Sequence, residues 1–140
     1  MNLLFGHDVT VIDWVERKFG YHIQYWNAAI GVINRAGVLV GAGVFQCLNG
    51  TNVEFSYFGP GSATARVARG MMVYAFDHLK VCRVTAKTPR QNKRVTRALP
   101  AFGFKMEGVM KHYYGPKRRL DAILFGLLEA DARRVIGEKK

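Results

Sequence analysis

The sequence predicts an α+β fold in which a mixed, mostly antiparallel sheet with one parallel joint is flanked by helices. Three observations predict it. Apolar residues recur at helical spacing near the N-terminus, three short strand-like segments separated by turn signals come next, and a strand–helix–strand unit follows them. A crossover of that last kind joins parallel strands of one sheet. A length of 140 residues suits a single domain spanning 1–140.

The first helix is predicted to begin at Asp8, whose side chain can cap it, and to end at Gly20. Its apolar residues are spaced three and four positions apart, which is the period of a helix that buries one face. They are Val11, Ile12, Val15 and Phe19. An aromatic stretch over residues 21–27 follows the helix.

Three strands are predicted next, over residues 29–34, 38–47 and 53–58. Asn34 to Gly37 supplies the first turn, and Asn49-Gly50 is a strong hairpin signal before the third strand. Because connections this short join antiparallel neighbours, the three strands are expected to form a meander.

The second half is predicted to alternate helices and strands and to close with a hairpin. The segments, in order, are a helix over 64–79, a strand over 82–87, a short helix over 91–99, two strands over 104–114 and 120–128, and a polar tail from 129. The strands on either side of the 64–79 helix form the parallel joint. Ligands tend to bind beside such joints, at the carboxyl ends of the strands.

The basic charge is the most informative feature of the composition. There are 21 Lys and Arg against 10 Asp and Glu, which gives a net charge of +11 and a pI near 10.1. Such a field attracts polyanions and repels polycations. A net charge of this size is consistent with binding to nucleic acid, the ribosome, anionic lipid or a phosphorylated cofactor. It is equally consistent with a basic surface that has no anionic partner. Charge alone does not choose among them.

Other classes of protein are disfavoured. The two cysteines, Cys47 and Cys82, form neither a disulfide framework nor a zinc motif, and the four histidines are scattered, so no metal site is expected. No apolar run approaches the roughly 20 residues that span a bilayer. The first residues carry no basic segment followed by a long apolar one, so no secretory signal is expected and the predicted location is cytoplasmic.

The best candidate site is the junction from Phe58 to Arg66, where a strand leads through glycines into a helix. Glycines let the backbone approach a ligand closely, and the first N–H groups of a helix are free donors at a positive dipole end. This arrangement suits a pyrophosphate, with Arg66 and Arg69 adding charge. A plain structural loop is the alternative interpretation.

Residues 53–130 resemble the GNAT superfamily of N-acetyltransferases, especially the branch of ribosomal-protein N-terminal acetyltransferases with small phage and bacterial relatives. The matching stretches are Tyr74-Ala75-Phe76, Cys82 to Ala86, Asn92, Phe102 to Gly108, and Asp121 to Leu128. The resemblance implies acetyl-CoA as co-substrate, an amine acceptor, and a strand that splays from its neighbour to bind the pantetheine arm.

The resemblance also implies which residues hold the cofactor. The strand ending at Phe58 would bind pantetheine, Gly59, Gly61, Ser62, Ala63, Thr64 and Arg66 would hold the pyrophosphate, and Asn92 would approach the pantetheine. The sequence departs from the family at four positions. Gly59 stands where the loop of the family begins with Gln or Arg, and Ser62 replaces a loop glycine. Leu99 replaces the tyrosine that serves many members as an acid, and Val95 replaces a serine of the N-terminal acetyltransferase branch.

The reaction implied is direct attack of a neutral amine on the acetyl thioester, with a backbone N–H near Tyr57 or Phe58 stabilising the oxyanion. Glu54 and Tyr57, on the splayed strand, are the predicted bases. Their alternatives are a solvent-facing position for Glu54 and packing for Tyr57. The acceptor is expected to be a protein N-terminus or another amine that is not polycationic.

A catalytically inert binding module for nucleic acid or protein is the alternative function, and weak nucleic-acid contact and a homodimer are the further partner predictions.

Overall fold

The computed structural model describes residues 1–60 and 65–136. Its strands and helices, in chain order, are β1 Asn2–Leu4, α1 Asp8–Phe19, β2 Trp26–Ile33, β3 Leu39–Gln46, β4 Asn52–Phe58, α2 Ala65–Val73, β5 Arg83–Pro89, α3 Lys93–Ala98, β6 Lys105–Met110, β7 Ala122–Leu128 and α4 Glu129–Ile136. A π-helical turn over Tyr74–His78 continues α2, and a 3-10 turn over Leu99–Phe102 continues α3.

The seven strands form one sheet in the order β1-β2-β3-β4-β5-β7-β6. Strands β1 to β4 are an antiparallel meander, β4 and β5 are parallel, and β7 runs antiparallel to both β5 and β6. The predicted fold class, with its one parallel joint after the third predicted strand, is confirmed. The three-residue β1 was not predicted, because so short a segment carries no detectable period.

The start of α1 differs from the prediction in the role of Asp8. His7 is the residue before the helix, and no side chain caps it. Asp8 lies in the first turn, and its Oδ2 accepts a hydrogen bond of 2.9 Å from the Ala29 N–H of β2. The carboxylate therefore fastens the helix to the sheet. Gly20 ends the helix as predicted, with φ of 74° and its N–H donating to the Glu16 carbonyl.

Strand β4 divides the core between the two faces of the sheet. Its residues alternate, so Val53, Phe55 and Tyr57 are buried against α2 and the 3-10 turn, whereas Phe58 packs with the α1 side. Phe55 is 1% exposed, and its ring centroid lies 5.2 Å from Phe45 and 5.7 Å from Phe102. These aromatic contacts hold β4 in position where it approaches β5.

The strand predicted over 104–114 ends earlier, at Met110. His112 has a left-handed backbone with φ of 59°, which breaks the extended conformation. Its N–H donates 2.9 Å to Oδ1 of the buried Asp121, and the pKa of that carboxyl is held below its usual range by this backbone bond and by nearby Arg90. Asp121 therefore orders the connection between β6 and β7.

Within the two described ranges, no helix combines the length and hydropathy that crossing a bilayer demands.

Candidate functional site

Strands β4 and β5 separate near their carboxyl ends. They are paired from Asn52–Arg83 to Glu54–Thr85, and β5 remains paired with β7 along its whole length. Beyond Glu54 the two strands diverge and leave a cavity of about 330 Å³. Its walls come from the end of β4, the end of β5, the first turn of α3 and the stretch after α1. This volume is typical of a small-molecule site.

The edge of β4 presents free backbone groups to this cleft. The Thr51 carbonyl accepts a 3.1 Å hydrogen bond from the Arg83 N–H, so it points toward β5. Backbone groups of alternate residues in a strand point to the same edge, so those of Phe55 and Tyr57 also point toward β5. Because the last parallel pair is Glu54–Thr85, the Tyr57 N–H and the Phe55 carbonyl lie beyond the ladder. Of the two predicted oxyanion donors, the geometry favours Tyr57 over Phe58.

The structure places Glu54 and Tyr57 on opposite faces of β4 and does not bring them together. Tyr57 is 5% exposed, its hydroxyl donates 2.9 Å to the Pro60 carbonyl, and burial raises its pKa. The Glu54 carboxylate lies 3.7 Å from Lys87 Nζ. Tyr57 lines the cleft, whereas Glu54 is not among the described residues that do.

Two of the predicted cofactor ligands, Phe58 and Gly59, line the cleft. A Cβ on Gly59 would lie 3.0 Å from the Gly41 Cα, and its φ of 151° is one that only glycine adopts readily. This glycine therefore lets the two strand ends approach closely. Arg66 is exposed in the first turn of α2. The predictions for Gly61, Ser62, Ala63 and Thr64 lie outside the described residues.

Asn92, the remaining predicted ligand, lies at the start of α3 and lines the cleft. Its Oδ1 accepts a 3.3 Å hydrogen bond from the Val95 N–H and caps the helix. The side-chain NH₂ is left as a donor that a cofactor amide could use. The residue thus combines a structural role with a position suited to binding.

Sequence reasoning missed a carboxylate–imidazole pair on the α1 side of the cleft. Glu16 Oε2 accepts 2.8 Å from the Ile23 N–H and lies 3.2 Å from His22 Nδ1. His22 lines the cleft, with its side chain 78% exposed. Glu16 and His22 meet because the left-handed Gly20 turns the chain back along the helix. Gly20 was the feature of the sequence from which this contact could have been predicted.

Tyr114 is a second residue that sequence reasoning did not single out. It lines the cleft, and burial, together with Tyr113, Tyr21 and Glu54, raises its pKa to about 12. Its hydroxyl therefore remains a donor at neutral pH.

The charged or titratable groups at the cleft include Lys87, Arg94 and His22, and no carboxylate is among its described lining residues. The described residues also contain no cluster of three or more His, Cys, Asp and Glu that could hold a metal ion.

No protein-family model matches the chain, and no curated protein sequence matches it. Solved structures do. A chimera of spermidine N-acetyltransferase SpeG from Vibrio cholerae and hSSAT superposes with a TM-score of 0.70 at 14% identity, covering 96% of this chain and 99% of that one. The ribosomal-protein-S5-alanine acetyltransferase of Vibrio fischeri superposes with a TM-score of 0.68 at 15% identity, covering 93% of this chain and 92% of that one.

A GNAT-family acetyltransferase from Bacillus anthracis has a TM-score of 0.61 at 21% identity, covering 84% of this chain and 72% of that one. The likeness extends over most of each protein. At these identities it establishes a shared architecture.

Proposed function

From the GNAT fold that this chain has, we propose that it is an N-acetyltransferase that moves an acetyl group from acetyl-CoA to a primary amine. The observation that carries the proposal is the cleft between the diverging ends of β4 and β5, toward which the Tyr57 N–H and the Phe55 carbonyl point. A free strand edge of this kind can bind an amide-containing chain as an added strand would. Pantetheine is such a chain, because it contains two amide groups.

The groups around the cleft fit a phosphorylated thioester. Arg94 supplies positive charge, Lys87 adds a cation that is paired with Glu54, and the Asn92 side chain supplies amide donors. Arg66, at the start of α2, is available to the phosphates. We propose that Phe58, Gly59, Gly61, Ser62, Ala63, Thr64, Arg66 and Asn92 bind the carrier, as the sequence predicts.

Acetyl-CoA, when bound, supplies an acetyl group activated as a thioester. The chain's own groups then have three tasks. The Tyr57 N–H donates to the carbonyl oxygen as negative charge develops there, a contribution of about 10²–10³ in rate for one such donor. His22 accepts the proton of the amine nitrogen, and Tyr114 donates a hydrogen bond to the departing sulfur. The new C–N bond would form as the C–S bond breaks. The amine proton would pass from His22 to solvent, and the departing thiolate would take a proton from solvent.

His22 is proposed as the base in addition to the sequence-based candidates, Glu54 and Tyr57. Imidazole is the commonest general base, and Glu16 orients this one within the cleft. The raised pKa of Tyr57 favours its protonated form, and the Glu54 carboxylate is paired with Lys87. Glu54 and Tyr57 stay predictions that substitution of each candidate base tests.

The first test is binding of acetyl-CoA by titration calorimetry, followed by thiol release with a panel of amines and peptides. A site in the micromolar range or tighter is expected. Asn92→Ala is expected to weaken acetyl-CoA about tenfold, since roughly 1.4 kcal/mol corresponds to one hydrogen bond in a binding site. Asn92→Ser is the matched control, because serine also caps helices but does not extend as far toward the cleft.

If Asn92 contacts the cofactor, both variants weaken binding, although only the alanine variant also loses helix stability. Wild-type affinity in the serine variant would assign Asn92 to capping alone. No binding of acetyl-CoA by the wild-type protein would contradict the proposed function. That result would favour an inert module, the function for which Leu99, in place of the acid tyrosine of many GNAT enzymes, is the supporting observation.

Spermidine is expected to be a poor acceptor, although the SpeG structures that superpose on this chain are named for it. Its cationic nitrogens would meet a net charge of +11 and a cleft wall whose described residues include no carboxylate. The expected kcat/KM is at least about tenfold below that of a peptide N-terminus with uncharged side chains. Thiol release at physiological salt measures it, and efficient acetylation of spermidine would overturn this prediction.

A further inference from the structure

A cluster of cations, the basic rim, borders the cleft on the side of α3. It combines the start of α3 with the connection between β6 and β7, and its members are Lys93, Arg94, Lys111, Lys117, Arg118 and Arg119. All six are exposed. The cluster holds six of the 21 Lys and Arg of the chain.

Backbone hydrogen bonds hold the two halves of the basic rim together. The Gln91 N–H donates 3.0 Å to the Arg119 carbonyl, and the Arg90 N–H donates 2.8 Å to the Asp121 carbonyl. The residues just before α3 are therefore fixed against the end of the β6–β7 connection. Since Asp121 also orders that connection through His112, the cations are carried on a defined surface.

The carboxylates of the described residues do not neutralise the basic rim. Eight of them form ion pairs, and the ninth, Asp8, accepts the Ala29 N–H. The cations in those ion pairs are Arg17, His22, Arg83, Lys87, Arg90, Lys105, Arg133 and Arg134. Six like charges without a described carboxylate partner repel one another, which lowers stability unless an anion binds. A polyanion is the ligand that this surface fits.

Exposed aromatic rings within the same segment distinguish nucleic acid from an acidic peptide. Tyr113 and Tyr114 follow Lys111 and precede Lys117, and they are 47% and 43% exposed. Their ring centroids are 4.9 Å apart in an edge-to-face arrangement, and Lys87 Nζ lies 3.2 Å from the Tyr113 hydroxyl, which holds that ring in place. Aromatic faces beside a basic track stack on unpaired bases, which acidic peptides lack.

We propose that the basic rim, with Tyr113, is a docking surface for single-stranded nucleic acid. The phosphates contact the cations, and a base stacks on the Tyr113 ring. Binding itself does not require acetyl transfer and is tested separately from it.

The test measures the affinity of the full chain for labelled RNA and DNA oligonucleotides of about 16 nucleotides, near the upper end of known site sizes. Fluorescence anisotropy over a salt series gives the slope of log K against log salt. Lys117→Gln/Arg118→Gln is expected to reduce that slope by about 1.4, since each phosphate contact on a single strand contributes about 0.7. Arg35→Gln/Lys80→Gln removes the same charge from exposed cations elsewhere and is expected to keep the slope.

Tyr113→Ala is expected to weaken binding about fivefold or more, and Tyr113→Phe, which keeps the ring, is expected to bind like the wild type. Binding of either RNA or DNA with these variant effects supports the proposal. It is overturned if neither oligonucleotide binds, if the control pair loses as much slope as the rim pair, or if polyglutamate competes as well as nucleic acid. If millimolar coenzyme A displaced the oligonucleotide, the basic rim would be assigned to the phosphates of the cofactor, and the nucleic-acid proposal would be overturned.

Discussion

Replacing Phe55 with alanine is expected to lower the free energy of unfolding by about 3–5 kcal/mol, the range for truncating a fully buried phenylalanine. Phe55 is 1% exposed and lies between the rings of Phe45, Phe102 and Phe104. These neighbours belong to β3, to the 3-10 turn after α3 and to the residue before β6, so they cannot all move into the vacated space. Chemical denaturation measures the loss, and the midpoint of thermal unfolding should fall by roughly 10–20 °C.

Two matched variants separate the cavity from the general effect of removing a ring. Phe55→Leu keeps most of the buried volume and is expected to lose about 1–2 kcal/mol. Tyr25→Ala removes an equally large ring that is 78% exposed, and its expected change lies within about 0.5 kcal/mol. If Tyr25→Ala and Phe55→Ala lowered the free energy of unfolding equally, Phe55 would not belong to the core that positions β4 beside the cleft.

Replacing His22 with glutamine is expected to lower kcat/KM for the best amine acceptor by about 10²–10⁴, the usual contribution of a general base. Glutamine is close to histidine in size and hydrogen-bonds similarly, but it cannot accept the proton. Binding of acetyl-CoA is expected to stay unchanged, which separates this loss from a defect in the cofactor site.

The controls distinguish His22 from the other candidate bases. His78→Gln changes a histidine outside the cleft wall and is expected to leave the rate unchanged. Glu16→Gln is expected to lower kcat less than His22→Gln, because Glu16 acts by orienting the imidazole. If Glu54→Gln or Tyr57→Phe lowers kcat/KM by that amount and His22→Gln does not, the sequence-based base is the correct one.

Local signals in the sequence were sufficient to determine the order of the main elements and the place of the parallel joint. Gly20 ends α1 because a left-handed residue there needs no neighbour to specify it, and Asn49-Gly50 marks the turn between β3 and β4. Strand β4 was predictable because its alternation is a property of consecutive residues. Each of these features depends on interactions over a few positions of the chain.

The arrangement of the cleft could not be obtained in this way, because it depends on side chains brought together from distant parts of the chain. Asp8 was predicted to cap a helix, yet its carboxylate binds Ala29, 21 positions away. Glu54 and Tyr57 are close in sequence but lie on opposite faces of β4, whereas Gln91 and Arg119 are joined across the basic rim. Local periodicity determines which face of an element is buried, but packing between elements determines which polar groups meet.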